Sequence, residues 1–281
     1  MEVPLLKRRG VLALATSLLM VFAACGGDDS EGGGSPDEPS PADVLVDAGA
    51  ATLDAGTART EVEQITSAQG QDLTTTMEGN VEFVSGDSEA IIKVSYPGYE
   101  PPFSQIITKD LVAYIEAGAF PGGMRTDARW IKIDYAAMSA QMGINLETIR
   151  QTGAGQLAYL SEVADVEEVG TETVRDVETT HYRFSTDLAE LAESGPEELR
   201  SSFERLIEIS GSDEVPTQVW IDGDDRVRRL VTDVEMDLEG QQATQQTTVE
   251  YYDFGVQFDV QLPPEEDTVD ITELGGGGGI P

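Results

Sequence analysis

Residues 73–84, LTTTMEGNVEFV, alternate with a period of two: Leu73, Met77, Val81 and Phe83 share one parity, and Thr74, Thr76, Glu78, Asn80 and Glu82 the other. A strand that is oily on one side and wet on the other belongs to an antiparallel sheet with one solvated face. The pattern recurs. IIKVSY (91–96) aligns Ile92, Val94 and Tyr96, and LVTDVEMDL (230–238) sets Leu230, Val234, Met236 and Leu238 against Asp233, Glu235 and Asp237. YDFGVQFDVQL (252–262) carries it furthest, with Tyr252, Phe254, Val256, Phe258, Val260 and Leu262 alternating with Asp253, Gly255, Gln257, Asp259 and Gln261. Ser85-Gly86-Asp87 and Asp222-Gly223-Asp224-Asp225 supply turn chemistry between such runs.

Three stretches have a helical period instead. After Ser40-Pro41, ADVLVDAGAATLDAG (42–56) places Val44, Ala48, Ala51 and Ala55 on one stripe and ends at Gly56. GPEELRSSFERLIEI (195–209) has Pro196 at a first helical position and a stripe of Leu199, Phe203, Leu206 and Ile209. Residues 135–164 are looser, with Met138, Met142, Leu146 and Ile149 among glycines, and read as short helices. The sum is about ten antiparallel strands and a few amphipathic helices. That is too little helix to tile so large a sheet and too few alternating runs for a second packed sheet. The expected fold is mainly β (α+β): a strongly curved antiparallel half-barrel with helices in its concave face.

The ends of the 281-residue chain read differently. Lys7, Arg8 and Arg9 precede a short apolar run from Val11 to Ala24, too short for a membrane span and suited to a secretory signal. Phe22-Ala23-Ala24-Cys25 resembles a bacterial lipobox, in which the cysteine becomes the new N-terminus and carries diacylglycerol; Phe22 stands where leucine is usual. Cys25 is the single cysteine, so this use leaves none for a disulfide, a metal or a nucleophile. Next comes a Gly/Asp/Ser/Pro tract that cannot fold. The expected organisation is a signal peptide over 1–24, lipidated Cys25 and a tether over 25–41, one domain over 42–273, and a Gly-rich tail over 274–281. The expected location is the outer face of the cytoplasmic membrane, held there by Cys25.

Composition restricts the partners. With 17 Lys+Arg against 53 Asp+Glu the net charge is −36, a field that opposes nucleic acid and leaves solubility as its plain role.

Several strand segments resemble one family. VEEVGTETVRDVETTHYRFSTDL (166–188), PTQVWIDGDDRVRRLVTDVEM (216–236) and VEYYDFGVQFDVQLPPEEDTV (249–269), with the lipobox and the Ala-rich first helix, are similar to the LppX/LprG-type actinobacterial lipoproteins, whose fold is LolA/LolB-like. The order of the segments along the chain is more telling than any one of them. The resemblance implies a half-barrel whose concave face and helices enclose an apolar cavity for acyl chains. It carries over no set of ligand-contacting residues. The cavity-lining candidates are the oily strand positions Leu73, Met77, Val81, Phe83, Ile92, Val94, Tyr96, Leu230, Val234, Met236, Tyr252 and Phe254, with Met138 and Met142 from the short helices.

Chemistry of other kinds finds little footing. His181 is the single histidine, in a strand context beside Tyr182, and no G-x-S-x-G motif is present. A zinc site is not expected with one histidine and a lipidated cysteine, and DGDD lacks the remaining spacing of a calcium loop. No enzyme activity, cofactor or metal is expected. Arg226, Arg228 and Arg229 form the one basic cluster; they suit a lipid headgroup or cross-strand pairing with carboxylates. The expected function is a membrane-anchored extracytoplasmic lipoprotein that binds acyl chains and carries or presents them in the envelope. Its partners are the membrane, a lipid or glycolipid and a membrane transporter or sensor, and the expected state is a monomer. The alternative is a non-enzymatic envelope sensor or interaction module on the same fold.

Overall fold

Ser40 sets the first described element. Its hydroxyl accepts the Asp43 N–H at 3.2 Å while the Asp43 carboxylate accepts the Ser40 N–H at 3.0 Å, a capping box that starts helix α1 (Pro41–Asp54). The Ser40 hydroxyl also donates to the Asp43 carboxylate at 2.6 Å, and this bond, with that from the Ser40 N–H, holds the carboxyl below its ordinary range. The computed structural model describes residues 39–98, 103–119, 126–141, 144, 146, 166–194, 197–238 and 241–274. Cys25, the signal and most of the tether lie outside the described residues, as does Met142.

Strands run in the order β1 (Thr57–Ala68), β2 (Gln71–Glu82), β3 (Ser88–Ser95), β4 (Ser104–Lys109), β5 (Val112–Glu116) and β6 (Trp130–Asp134). After helix α2 (Tyr135–Gln141) come β7 (Glu167–Val174) and β8 (Val177–Asp187). Helices α3 (Leu188–Ser194) and α4 (Glu197–Ser210) precede β9 (Glu214–Asp222), β10 (Val227–Leu238) and β11 (Gln241–Tyr252). A short strand β12 (Thr268–Asp270) and a final turn of helix, α5 (Ile271–Leu274), end the described chain. All twelve strands form one curved, unclosed sheet in the order β12-β6-β5-β4-β3-β2-β1-β11-β10-β9-β8-β7. It is thus two meanders, β1 to β6 and β7 to β11, joined where β1 pairs with β11 from Arg59–Tyr252 to Ala68–Ala243. Every pair is antiparallel except β12–β6.

The hairpins are made by the turns that strand twist favours. Gln69-Gly70, Asp110-Leu111 and Arg175-Asp176 each put two consecutive residues at positive φ, the signature of a tight two-residue connection. Leu111, at φ 62, has no conformational preference for that region; its carbonyl accepts the Tyr135 N–H at 3.0 Å and ties the turn to the start of α2. Gly79, inside β2, marks a close approach: a Cβ there would stand 2.1 Å from the Glu89 carbonyl oxygen of β3.

Three expectations are corrected. Among the described residues the sheet has twelve strands rather than about ten, and one pair is parallel. The buried stripe of α1 is Leu45, Ala48, Thr52 and Leu53, turned about one residue from the Val44/Ala48/Ala51/Ala55 stripe, because the two leucines carry the larger apolar area. The third concerns 252–262. The ladder ends at Tyr252, where Asp253 (φ 49) and Gly255 (φ 78) turn the chain out of β11. Past this turn the chain runs as an extended strap, held at its start by Gly255 N–H on the Thr57 carbonyl (2.8 Å) and by the Thr57 hydroxyl on the Val256 carbonyl (2.7 Å). Burial still alternates along it, with Phe254, Val256, Phe258 and Val260 half-buried and Gly255, Gln257 and Asp259 exposed, so the pattern reported a face without a ladder. The strap runs from β11 to β12, seven strand spacings of about 4.8 Å or roughly 34 Å, a span that an extended chain covers.

Two apolar clusters hold the helices to one face of the sheet. Leu45 and Ala48 of α1 pack with Val81, Phe83, Tyr182, Val219, Leu230, Val249 and Tyr251. On the other half, Ile92, Val94, Ile106, Ile115, Ile131 and Ile133 pack with Tyr135, Ile144 and Leu146. Leu206 of α4 packs against this second cluster and also against Leu199 and Phe203 of its own helix, which links the two halves across the hollow.

Candidate functional site

The inner face can be traced from strand to strand by register. Ala58, Thr60, Val62, Gln64 and Thr66 of β1 sit opposite Val81, Gly79, Met77, Thr75 and Leu73 of β2. These continue to Ser88, Ala90, Ile92 and Val94 of β3. On the other side, Tyr251, Val249, Thr247, Gln245 and Ala243 of β11 lead to Leu230, Thr232, Val234 and Met236 of β10 and to Thr217, Val219 and Ile221 of β9. Ile106 and Thr108, Ala113 and Ile115, and Ile131 and Ile133 complete it through β4, β5 and β6. None of these positions carries a formal charge. Strands β1–β6 and β9–β11 therefore turn their Asp, Glu, Lys and Arg residues outward.

A polar band crosses this otherwise apolar face. Thr217, Thr232, Thr247, Gln64 and Thr75 lie in one register row across β9, β10, β11, β1 and β2, with Gln245 and Thr66 in the next. Gln64 and Thr60 are each 6% exposed. The Gln64 amide nitrogen, the Thr60 hydroxyl and the Gln245 amide oxygen are buried and find no hydrogen-bond partner. Each such atom costs about 1–3 kcal/mol relative to a satisfied one. Around them Val62, Leu73, Met77 and Val234 are half-buried, while Thr66, Thr217 and Thr232 are buried.

Of the expected cavity residues, Leu73, Met77, Val81, Ile92, Val94, Leu230, Val234 and Met236 share this inner face. Met138 packs against the second cluster from α2. Phe83 lies just beyond β2, edge-on to Tyr251 at 5.3 Å. Tyr96 is 39% exposed beyond the end of β3. Tyr252 takes the opposite side: inner-face residues of β11 have odd numbers, and Tyr252 lies against Arg175 (4.1 Å) and Arg59 (5.8 Å). Phe254 leaves the sheet with the strap and packs on Phe83 at 6.2 Å. Thr60, Gln64, Thr66, Gln245 and Thr247 are site residues that sequence reasoning misses. Their only sequence signal is a polar residue in the oily parity of a strand.

The basic cluster is engaged locally. Asp222, its side chain 3% exposed, accepts the Asp224 and Arg226 N–H groups (3.0 Å each) and the Arg228 guanidinium (2.5 Å). Burial alone would raise the Asp222 carboxyl; the bonds from Arg226, Arg228 and Asp224 outweigh it and hold it below its usual value. DGDD is thus a tight turn closed by its own first aspartate. Arg226 and Arg228 also stand over the Phe254 ring at 4.9 and 5.0 Å, and Arg229 pairs with Glu250.

His181 is equally occupied. It stacks on Trp220 (4.1 Å between centroids, 10° between planes), with Nδ1 3.1 Å from Glu172 and Nε2 3.1 Å from Gln218, while Trp220 donates to the other Glu172 oxygen at 2.9 Å. On this outer face a cleft of ≈ 580 Å³ opens where Gln261, Pro263 and Pro264 of the strap pass Arg59, Ile91 and Trp130. Among the described residues no group of three or more His, Cys, Asp or Glu side chains is placed to hold a metal ion.

No protein-family model matches the sequence. A Streptomyces griseus protein, an uncharacterized 31.2 kDa protein of the rplA-rplJ intergenic region, is 25% identical over 153 residues; the match spans 52% of this chain and about half, 49%, of that protein. Among solved structures, LprF from Mycobacterium bovis aligns at 14% identity and TM-score 0.49 over 81% of this chain and 99% of that one. LppX from Mycobacterium tuberculosis aligns at 15% identity and TM-score 0.45 over 79% and 100%. The likeness is to LppX/LprG-type lipoproteins. The mainly β, unclosed sheet with few helices is the fold class expected from the sequence.

Proposed function

We propose that this chain is an exported, lipid-anchored lipoprotein that shelters acyl chains against the inner face of its sheet and carries or presents them in the envelope. One observation carries the reading: in a chain of net charge −36, the inner strand positions of β1–β6 and β9–β11 hold no charge, and the apolar Val62, Leu73, Met77 and Val234 in the middle of that face are only half-buried. A plain core would be covered throughout. An acyl chain offers the apolar surface that this trough lacks. Burying a methylene from water yields about 0.8 kcal/mol, but a tail leaving a bilayer was already dry. Transfer is then near balance, and loading and unloading need no energy source. Cys25 supplies the anchor in this reading. His181, spent on Trp220, Glu172 and Gln218, supports a non-enzymatic role.

The test is organic extraction and mass spectrometry of the full chain purified from its native envelope. Lipid recovered at about one molecule per chain supports the proposal and names the cargo. A folded chain free of lipid removes the carrier role and leaves a non-enzymatic module.

A further inference from the structure

We propose that Gln64 and Gln245 recognise an uncharged hydrogen-bonding group of an otherwise apolar ligand: a carbonyl oxygen at the Gln64 amide N–H and a hydroxyl or N–H at the Gln245 carbonyl. This rests on the lipid-binding reading above and specifies its ligand.

The atoms in question are buried on the inner face and unmatched, although Gln64 lies on β1, at the middle of a twelve-strand sheet. Buried amides without partners are unfavourable, and leucine at the same positions would continue the apolar face. A bare hydrocarbon leaves the Gln64 and Gln245 atoms as they are. A carboxylate would accept from the Gln64 amide but has nothing to donate to the Gln245 carbonyl, and it would bring a charge to a surface where no inner strand position of β1–β6 or β9–β11 offers a cation. A neutral polar linkage satisfies both conditions. The band is bounded by apolar positions on each side: Val62 and Met77 in the row on the α1 side, Ala243 and Met236 in the row beyond Gln245 on the other. The polar group of the ligand therefore sits in an apolar surround, and any charged headgroup stays outside it.

The experiment displaces Nile red from the purified full chain with three competitors of similar chain length: monoolein (ester carbonyl and hydroxyls, uncharged), oleate (charged) and 1-octadecene (hydrocarbon). Monoolein is expected to displace at the lowest concentration. In the Gln64→Leu/Gln245→Leu variant its advantage over octadecene falls roughly tenfold, the loss of two ordinary hydrogen bonds, while thermal stability is kept or raised. Equal displacement by monoolein and octadecene in the wild type, or oleate as the strongest competitor, overturns this inference and leaves lipid binding standing. Failure of the dye and all three competitors to bind overturns both. Should the variant not fold, the wild-type ranking alone decides.

Discussion

The Thr52 hydroxyl accepts the Val227 N–H at 2.8 Å while donating to the Ala48 carbonyl at 2.7 Å. A residue in the last turn of α1 thereby fastens the helix to the first residue of β10, beside the bulge between Val227 and Arg229. All of these atoms are buried. Thr52→Val keeps the shape but leaves the Val227 N–H without an acceptor, and should cost about 1–3 kcal/mol in urea unfolding. Thr52→Ser, which retains the oxygen, should recover more than half of that loss.

Asp222 makes an acid-sensitive point of the β9–β10 turn. Its folded carboxyl titrates below its unfolded value near 3.9, so its contribution is complete above that pH and is lost as pH falls through the lower folded value. Stability of the wild type should therefore drop below about pH 4 more steeply than that of Asp222→Asn. At pH 7, Asp222→Ala should cost roughly 2–4 kcal/mol, since it frees the Arg228 guanidinium and two turn N–H groups together. A pH series of chemical denaturation curves on the two variants measures both effects.

Much of the sheet is legible in the sequence, because β2, β3 and β10 each carry an oily parity that the structure turns inward. The two strands that join its halves are not. β1 presents Thr60, Gln64 and Thr66 to the inner face and β11 presents Gln245 and Thr247, so neither shows the apolar alternation that marks a half-buried strand. The strongest alternation in the chain lies just past β11, in a strap that buries every second side chain without joining the ladder. Tyr252 reads as inward for that reason: it shares the parity of the strap, and the positive φ of Asp253 breaks the phase between strap and strand.

The inner and outer faces should respond oppositely to charge. Met77 and Ile91 lie on neighbouring strands, Met77 inward and opposite Ile92, Ile91 outward and 40% exposed. Met77→Glu should lower co-purifying lipid at least about tenfold, and Ile91→Glu should leave it within about twofold. Comparable far-ultraviolet circular dichroism of the two proteins makes the comparison one of binding.

Arg175, at the tip of the β7–β8 hairpin, pairs with Glu61 and Glu250 and lies over the Tyr252 ring. Beneath the hairpin, Val174 packs with Trp220 and Val231. The tip thus reaches back over the outer surface to the seam between β11 and β1. The partners are partly solvated, so Arg175→Ala should cost only about 1 kcal/mol, and the difference from wild type should shrink in about 0.5 M salt. A loss several times larger that is unaffected by salt would contradict this account.

The strap that leaves β11 at Asp253 reaches the far edge strand β12 without entering the sheet between them. It runs along the back of β1 through β6, on the outer face where Gln261, Pro263 and Pro264 pass Arg59, Ile91 and Trp130. Its length limits how much more tightly that half can curl and leaves flattening free, whereas the half from β10 to β7 is backed by the Arg175 tip instead. The molecule's two flanks, built from similar meanders, are therefore mechanically unequal, one backed by a continuous run of chain and the other by ion pairs.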